Sequence, residues 1–557
     1  MVYKPEINQF FDYERLGSTL KRWAKENPDR CRLHEIGLSH RGRTVYALEI
    51  SNFKTGNVDS RPGFYVESCI HAEEVMGTNV TMFLAYSLLS KYQQDALITK
   101  LLDTQVFYIL PCLNPDGSEF VQKQGAPWCG NGRYLPGEEQ PESGFYWKDL
   151  NGDGVVAEMR IADPDGEWKI SDLDSRFMVQ REPWELEGQF YRLLPEGLFR
   201  DFNGEYHFPL PHDGNMNRQF PAKYFPEGRQ YGAGTLPMEE PEVKGVIDFI
   251  LAHPNIGGVM SYHTNAAALL RPFGDKSDEN FVGQDLAMYL NLGKMGTQIT
   301  GYPLISVFHE FKPENDIIRG GCLTDWTYDF LGLPSFVTEL WNLNQSAGVA
   351  KEGFYPSNRR TPEEEGKVLA FLNERMKNAF IEWQPYNHPQ LGAVELGGWN
   401  RIWVERNAPE CMLEEIAEKH SEYSMKLAAT LPKVAIKSLK SERLDDNLVR
   451  ITAKIGNTGY LPTYLTDQAR YMKADKKVLV QLSSAKEFEV ITGKPDVALE
   501  HLEGRSQRTS TWSQWIKDWL PSERVVQWVV RCPAPCTFTV LASHDKCGLD
   551  KQELVVS

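Results

Sequence analysis

The sequence predicts an α/β protein, a mixed or parallel sheet covered by helices, with an all-β sandwich as a C-terminal domain. Three observations carry this reading. Residues from about 12 to 385 alternate helical periodicity with short apolar runs, the pattern of strands joined by helical crossovers. After Trp383 the composition shifts toward short β-rich runs punctuated by turn signals such as Asn457-Thr458-Gly459, as in a β-sandwich. At 557 residues the chain exceeds one ordinary core, so more than one domain is expected.

In chain order, Leu16, Leu20 and Trp23 share one face of an opening helix that ends at Asn27-Pro28. The runs Thr44 to Ser51 (TVYALEIS), Gly63 to Ser68 (GFYVES), Val106 to Leu110 (VFYIL), Gly257 to Tyr262 (GGVMSY) and Ser335 to Leu340 (SFVTEL) read as strands. Their near-continuous apolar character suits strands buried on both faces. Between Gly125 and Pro221 the pattern gives way to a stretch rich in Gly, Pro, Asp and Trp, too long for a simple connection and read as an insertion near the functional face. The expected division is 1–385 for the first domain with the insertion at about 125–215, 386–430 for a connecting segment with a helix around Met412 to Ala429, and 431–557 for the sandwich. The sequence contains no internal repeat and no low-complexity tract.

Composition narrows the function classes. Hydrophobic residues at 41% and charged residues at 24% are those of a soluble globular protein. A formal charge of −16 repels nucleic-acid phosphates and anionic membrane surfaces, so neither is an expected partner. The cysteines Cys31, Cys69, Cys112, Cys129, Cys322, Cys411, Cys532, Cys536 and Cys547 are odd in number and form no paired framework, which suits a reducing compartment. The close pair Cys532 and Cys536 lacks the companions of a zinc site and reads as incidental. The opening residues carry no basic segment followed by an apolar stretch, and no window offers about 20 consecutive apolar residues. The expected location is therefore cytoplasmic. Oligomeric state is not legible.

Chemistry concentrates where strands end. GFYVES runs into His71 and Glu74, three apart before a helical pattern, so both side chains can face one point. An imidazole and a carboxylate are suitable zinc ligands, and a catalytic site needs a third ligand beside a position for water. His263, ending the strand Gly257 to Tyr262, faces the crevice where open α/β sheets bind ligands; the alternative is a histidine bonded to a nearby carbonyl. Glu339 sits inside the apolar strand FVTEL, where a carboxylate is costly to bury without a partner. It is either a base beside a metal-activated water or half of a structural ion pair.

Taken together these residues resemble the carboxypeptidase A-type zinc peptidases over roughly residues 10 to 390. His71-Ala72-Glu73-Glu74 matches the His-x-x-Glu ligand pair, and Asn114-Pro115-Asp116-Gly117 the turn after the second strand. Asn217-Arg218-Gln219-Phe220-Pro221 is similar to the Asn-Arg segment that binds the substrate's terminal carboxylate. Ser261-Tyr262-His263 resembles the strand end with the third ligand, Gly320 to Tyr328 the pocket segment, and Phe336 to Leu340 the strand with the catalytic glutamate.

The resemblance implies a mixed eight-stranded sheet between helices, zinc held by His71, Glu74 and His263, and Glu339 as general base. It implies a peptide substrate with a free C-terminal carboxylate, gripped by Arg218 through two parallel hydrogen bonds with Asn217 beside it. An arginine should stabilise the oxyanion; Arg160 is chosen, with Arg133 second. Side-chain preference is read at Thr324, which is uncharged, so a neutral or small terminal residue is expected. Two departures stand out. The capping tyrosine is absent where counting back from Asp325 reaches Ile317 and Ile318. The insertion carries Asp149-Leu150-Asn151-Gly152-Asp153-Gly154, which matches the first half of a calcium loop but has Arg160 where an EF-hand needs glutamate. A structural calcium at Asp149, Asn151 and Asp153 and a plain Asx-rich turn are both compatible with it.

The leading expectation is a zinc metallocarboxypeptidase. A relative cleaving another amide, such as a peptidoglycan-type peptide or an N-acyl amino acid, is the runner-up. A non-catalytic peptide-binding protein is the alternative of another class, and the intact ligand set with Glu339 argues against it. The sandwich domain carries no motif to which chemistry attaches.

Overall fold

The structure is a computed structural model that describes residues 2–134, 144–206, 214–311, 319–349, 360–507, 521–533 and 535–556. The first strands are β1 (Cys31–Leu38), β2 (Thr44–Ile50), β3 (Gly63–Ser68) and β4 (Val106–Leu110). The insertion supplies β5 (Gly144–Trp147), β6 (Glu158–Ala162), β7 (Trp168–Ile170), β8 (Met178–Gln180), β9 (Tyr191–Pro195) and β10 (Gly197–Arg200). Then come β11 (Ile256–Thr264), β12 (Ala268–Arg271), β13 (Leu304–Ser306), β14 (Ser335–Leu340), β15 (Phe380–His388) and β16 (Gly392–Trp399).

Eight of these form the mixed sheet expected, in the order β1-β2-β4-β3-β11-β14-β12-β13. The centre is parallel, with β3 against β4 and β11, and β11 against β14. β1, β2 and β12 run antiparallel to their inner neighbours. β3, β4, β11 and β14 are buried along their whole lengths, which is why they read as unbroken apolar runs. Helix α1 (Tyr13–Glu26) is capped by Asp12, whose carboxylate accepts the amide N–H of Arg15, and it buries Leu16, Leu20 and Trp23. Helix α2 (Met76–Ser90) is buried nearly all round, so it shows little amphipathic contrast.

A second sheet, of six strands, has the order β15-β16-β6-β9-β7-β8. Here the structure corrects the expected division of the chain. β15 runs across the 385/386 boundary, and β16 pairs with β6 of the insertion, Glu395 opposite Arg160. The start of the supposed connecting segment is thus part of the insertion's own sheet. Pairing between residues 235 apart leaves no trace in local composition. The expected helix follows at Leu413–Ala428 and packs on α2.

The C-terminal domain is a sandwich of two four-stranded sheets around Ile451, Val480, Trp528, Phe538 and Val540. The start of its short helix Asp467–Tyr471, capped by Thr466, docks against the helix Leu323–Asp329. Asp285 accepts the amide N–H groups of Asp467 (2.7 Å) and Gln468 (2.9 Å), and the Gln468 side chain donates to the Asp329 carbonyl (2.9 Å). Among the described residues no helix is long and apolar enough to cross a membrane.

Candidate functional site

The site lies at the C-terminal ends of β3, β11 and β14, where open parallel sheets place ligands. His263 of β11 and Glu339 of β14 are direct register partners, so the pleat sends both side chains to one face. Glu67 of β3 pairs in register with Ser261, two residues before His263, and so belongs to the same face. His71 and Glu74 sit in a tight turn ahead of α2 rather than on the helix. The turn leaves β3 through Cys69 at φ +55° and is closed by the Glu74 amide N–H on the His71 carbonyl (3.2 Å).

The three candidate ligands converge. His71 Nδ1 lies 3.0 Å from Glu74 Oε1, His263 Nδ1 lies 2.9 Å from Glu74 Oε2, and the two Nδ1 atoms are 3.1 Å apart. Among the described residues, this is the group of His, Cys, Asp or Glu ligand atoms gathered tightly enough for a metal, all within 4.8 Å. Glu74 Oε2 is buried without a well-directed hydrogen bond despite that short approach. Its lone pairs and those of the imidazoles point into one small volume, an arrangement that a dication satisfies and that the N,O donor set matches to zinc.

One residue that the sequence reading passed over orients this group. His71 Nε2 lies 3.2 Å from Asn215 Oδ1, an oxygen that also accepts the Asn217 amide N–H (3.0 Å). An amide oxygen can only accept, so Nε2 carries the proton and Nδ1 keeps its lone pair for a metal. The available signal was its place two residues before Asn217. Asn215→Ala is expected to weaken zinc affinity by about 10–100-fold, read by competition against a chelator; an unchanged affinity would remove Asn215 from this role.

Electrostatics separates the acids. Burial pushes Glu74 up, but His71 and His263 outweigh it and hold the carboxyl down at about 2. Burial lowers both imidazoles. For His71 it prevails, whereas for His263 the neighbouring Glu74, with Glu339 and Glu67, reverses it and raises the pKa to about 9. Glu339 is pushed up to about 7 by burial and then by Glu74, against the opposing pull of His263, Arg319 and Arg406. A buried carboxyl near neutrality beside a metal-binding group is suited to moving a proton.

The Asn-Pro-Asp-Gly turn braces the ligand loop. Asn114 caps the helix Pro115–Gln124 through the Gly117 amide N–H (3.0 Å), and its side-chain amide donates to the carbonyls of Ile70 (3.2 Å) and Gly130 (2.8 Å). A Cβ on Gly117 would lie 2.4 Å from the Gly130 oxygen and 2.6 Å from Ala72 Cβ, next to His71. Gly117→Ala is therefore expected to destabilise the fold by about 1–3 kcal/mol and to loosen the zinc site, measured by denaturant unfolding with and without zinc.

A cavity of about 540 Å³ opens from the ligands and is lined also by Glu339, Asn217, Arg218 and Thr324. Asn217 Oδ1 accepts the Leu323 amide N–H (3.1 Å), and Arg218 Nη1 donates to the Asn217 carbonyl (2.8 Å) and reaches Cys322 Sγ (3.7 Å). Gly321 lets the two segments meet. At φ +69° it lies so close to Arg218 that a Cβ would sit 2.2 Å from the Arg218 oxygen. The capping position at Ile317 and Ile318 lies outside the described residues.

Both expected oxyanion arginines lie elsewhere. Arg160, on β6, donates to Glu395 through Nε (2.8 Å) and Nη2 (3.1 Å) and stacks on Trp383, so it belongs to the six-stranded sheet and does not line the cavity. Arg133 is engaged by Glu240 (2.8 Å). The linear order of motifs misled here because the long insertion folds into a sheet of its own. The calcium reading also gives way to the Asx-rich turn. Asp149 accepts the amides of Gly152 and Gly154, Asn151 that of Asp153, and Asp153 that of Val155, so these oxygens cap their own loop and gather no ligand cluster. The sequence reading also missed a wall of the cavity built by Arg401, Ile402, Glu405 and Arg406.

Residues 16–366 match the zinc carboxypeptidase family, and residues 433–555 match a domain of unknown function. Metallocarboxypeptidase A of Trichophyton tonsurans is 35% identical over 142 residues, 25% of this chain and 33% of that protein. The chain thus spans a third of the length of the first curated relatives it matches. Carboxypeptidase A4 of Mus musculus is 23% identical over 313 residues, 55% of this chain and 56% of that protein. Among solved structures, carboxypeptidase A from Helicoverpa armigera is 14% identical with a TM-score of 0.47, covering 77% of this chain and 75% of that one. Thrombin activatable fibrinolysis inhibitor is 17% identical with a TM-score of 0.45, covering 76% of each chain. Since the family match extends over residues 16–366, more than half of the 557, the chain belongs to the zinc carboxypeptidase family.

Proposed function

We propose that the protein is a zinc metallocarboxypeptidase that releases the last residue of peptides with a free α-carboxylate. The observation that carries this reading is a single cavity holding the ligand triad, Glu339 and the Asn217-Arg218 pair together. Zinc, when held by His71, Glu74 and His263, supplies a Lewis acid that polarises a carbonyl and brings the pKa of water to about 7. Arg218, with Asn217 beside it, grips the terminal carboxylate and so fixes which bond is presented. Glu339 takes a proton from the attacking water as the water oxygen bonds to the carbonyl carbon. It returns that proton to the amine nitrogen as the C–N bond breaks. Thr324 adds no charge to the pocket, which favours a neutral or small terminal side chain.

The test compares zinc-loaded wild type with Arg218→Ala on peptides ending in a free carboxylate and on the same peptides ending in an amide. Wild type should release single residues from the former only, and the variant should raise KM by about 10–100-fold, the loss of about 1.4–2.8 kcal/mol of charge-assisted binding. Release from N-acyl amino acids or peptidoglycan-type peptides but from no ordinary peptide would replace this reading with the other-amide one.

A further inference from the structure

The cavity wall at 401–406 comes from beyond the residues that match the peptidase family, so no family motif assigns it a role. It is tied to the candidate metal ligands from two sides. Asn407 accepts the Met76 amide N–H (3.0 Å) and donates to the Glu73 carbonyl (2.9 Å), which clasps the residues around Glu74. Asn265, two residues past His263, donates to the Glu405 carbonyl (2.8 Å). At the end of this π-helical turn, Ile402–Arg406, Arg406 is anchored twice. Its Nε lies 2.8 Å from Glu73 Oε1, and Nη1 donates to Asn265 Oδ1 (3.0 Å). The side chain remains 41% exposed, and it lines the same cavity as Glu74 and Glu339.

The other cavity arginines are placed differently. Arg401 is held by Glu158 of the insertion sheet through both Nε (2.9 Å) and Nη2 (2.7 Å). Arg218 and Arg319 flank the Gly320-Gly321 segment, on the side that would hold the terminal carboxylate. Arg406 is fixed through Glu73, next to Glu74, and through Asn265, two residues past His263. Its field reaches Glu74 and Glu339.

We propose that Arg406 is a catalytic residue that donates a hydrogen bond to the carbonyl oxygen of the scissile amide as negative charge develops there. This deepens the carboxypeptidase reading and rests on it. Water adds to the carbonyl carbon, the C=O π pair moves onto oxygen, and Arg406 stabilises that oxyanion without exchanging a proton, since a guanidinium stays charged. When the pair returns, the C–N bond breaks. A cation pre-positioned by two anchors needs no reorganisation as the charge appears, which is the condition for strong transition-state stabilisation.

The experiment measures kcat and KM of zinc-loaded Arg406→Ala and Arg406→Lys on an N-blocked dipeptide. It also measures calorimetric affinities for a phosphonate analogue of that dipeptide and for the free amino acid product, with zinc content checked in each protein. Arg406→Ala should lose about 10²–10³-fold in kcat and a similar factor in phosphonate affinity, while keeping zinc and product affinity. Added guanidinium should restore part of the rate, and Arg406→Lys should retain part of it. Equal losses of phosphonate and product affinity, or a kcat within a few-fold of wild type, would overturn the proposal. If wild type cleaves no peptide, the carboxypeptidase reading falls by itself, and phosphonate affinity in wild type against Arg406→Ala still decides whether Arg406 meets a tetrahedral anion. Arg406→Ala that loses its zinc would mark a structural prop, and the proposal would then fail unless Arg406→Lys keeps zinc and shows the same selective phosphonate loss.

Discussion

Glu339→Gln is expected to lower kcat by about 10²–10⁴-fold while leaving zinc bound and KM little changed. Glutamine keeps the shape and volume of glutamate on the buried strand β14, so the fold has no reason to change. What disappears is the proton acceptor. In the wild-type site the carboxyl is pushed up to about 7, first by burial and then by the Glu74 carboxylate. The sign is that of a base: the ionised form grows as pH rises through the pKa, so kcat/KM should climb on the acid side and then level off. A bound dication adds positive charge and favours the carboxylate, so this limb should lie at about 7 or below in the loaded enzyme. A pH profile of wild type against Glu339→Gln reads both effects. A variant with unreduced kcat would take the proton-transfer role away from Glu339.

Removing the third ligand should have the other large effect. His263→Ala is expected to reduce bound zinc below stoichiometry and, with it, all peptide release, since a site of two ligands holds the metal weakly. The same residue gives a pH signature. Despite burial, Glu74, Glu339 and Glu67 raise His263 to about 9 in the metal-free site, above the roughly 6.5 of an unfolded chain. Its proton therefore stabilises the metal-free fold fully below about 6.5, and this contribution is lost as pH rises through about 9. Zinc must displace that proton, so apparent zinc affinity should rise by up to about tenfold per pH unit across this window, with proton release on binding. Zinc titrations at several pH values and in buffers of different ionisation enthalpy measure both. A pH-independent affinity would mean that His263 is not the group displaced.

The cavity draws its lining from segments far apart in the chain, which explains why some residues of the site were readable and others were not. His71 and Glu74 announce themselves because they are three apart at the end of an apolar strand. His263 and Glu339 do so because a polar group at a strand end or inside an apolar run needs a reason. Asn217 and Arg218 stand in a recognisable segment. Each of these signals is local, spanning a few residues.

Local sequence thus determined the α/β architecture and the sandwich that follows it, and it pointed to His71, Glu74 and His263 as candidate metal ligands and to Glu339 as candidate base, because strand burial and i,i+3 spacing are written within one turn or one pleat. Tertiary structure decided which arginines reach the site. Arg160 was drawn to Glu395 and Trp383 by a pairing of strands 235 residues apart, and Arg406, distant from Glu73 along the chain, was brought beside it by the turn that follows β16. It also decided that Asn215 would hold His71 and that Asp149, Asn151 and Asp153 would cap their own turn. A guanidinium's role depends on which carboxylate lies within about 3 Å of it, and at such separations along the chain only the folded packing sets that distance.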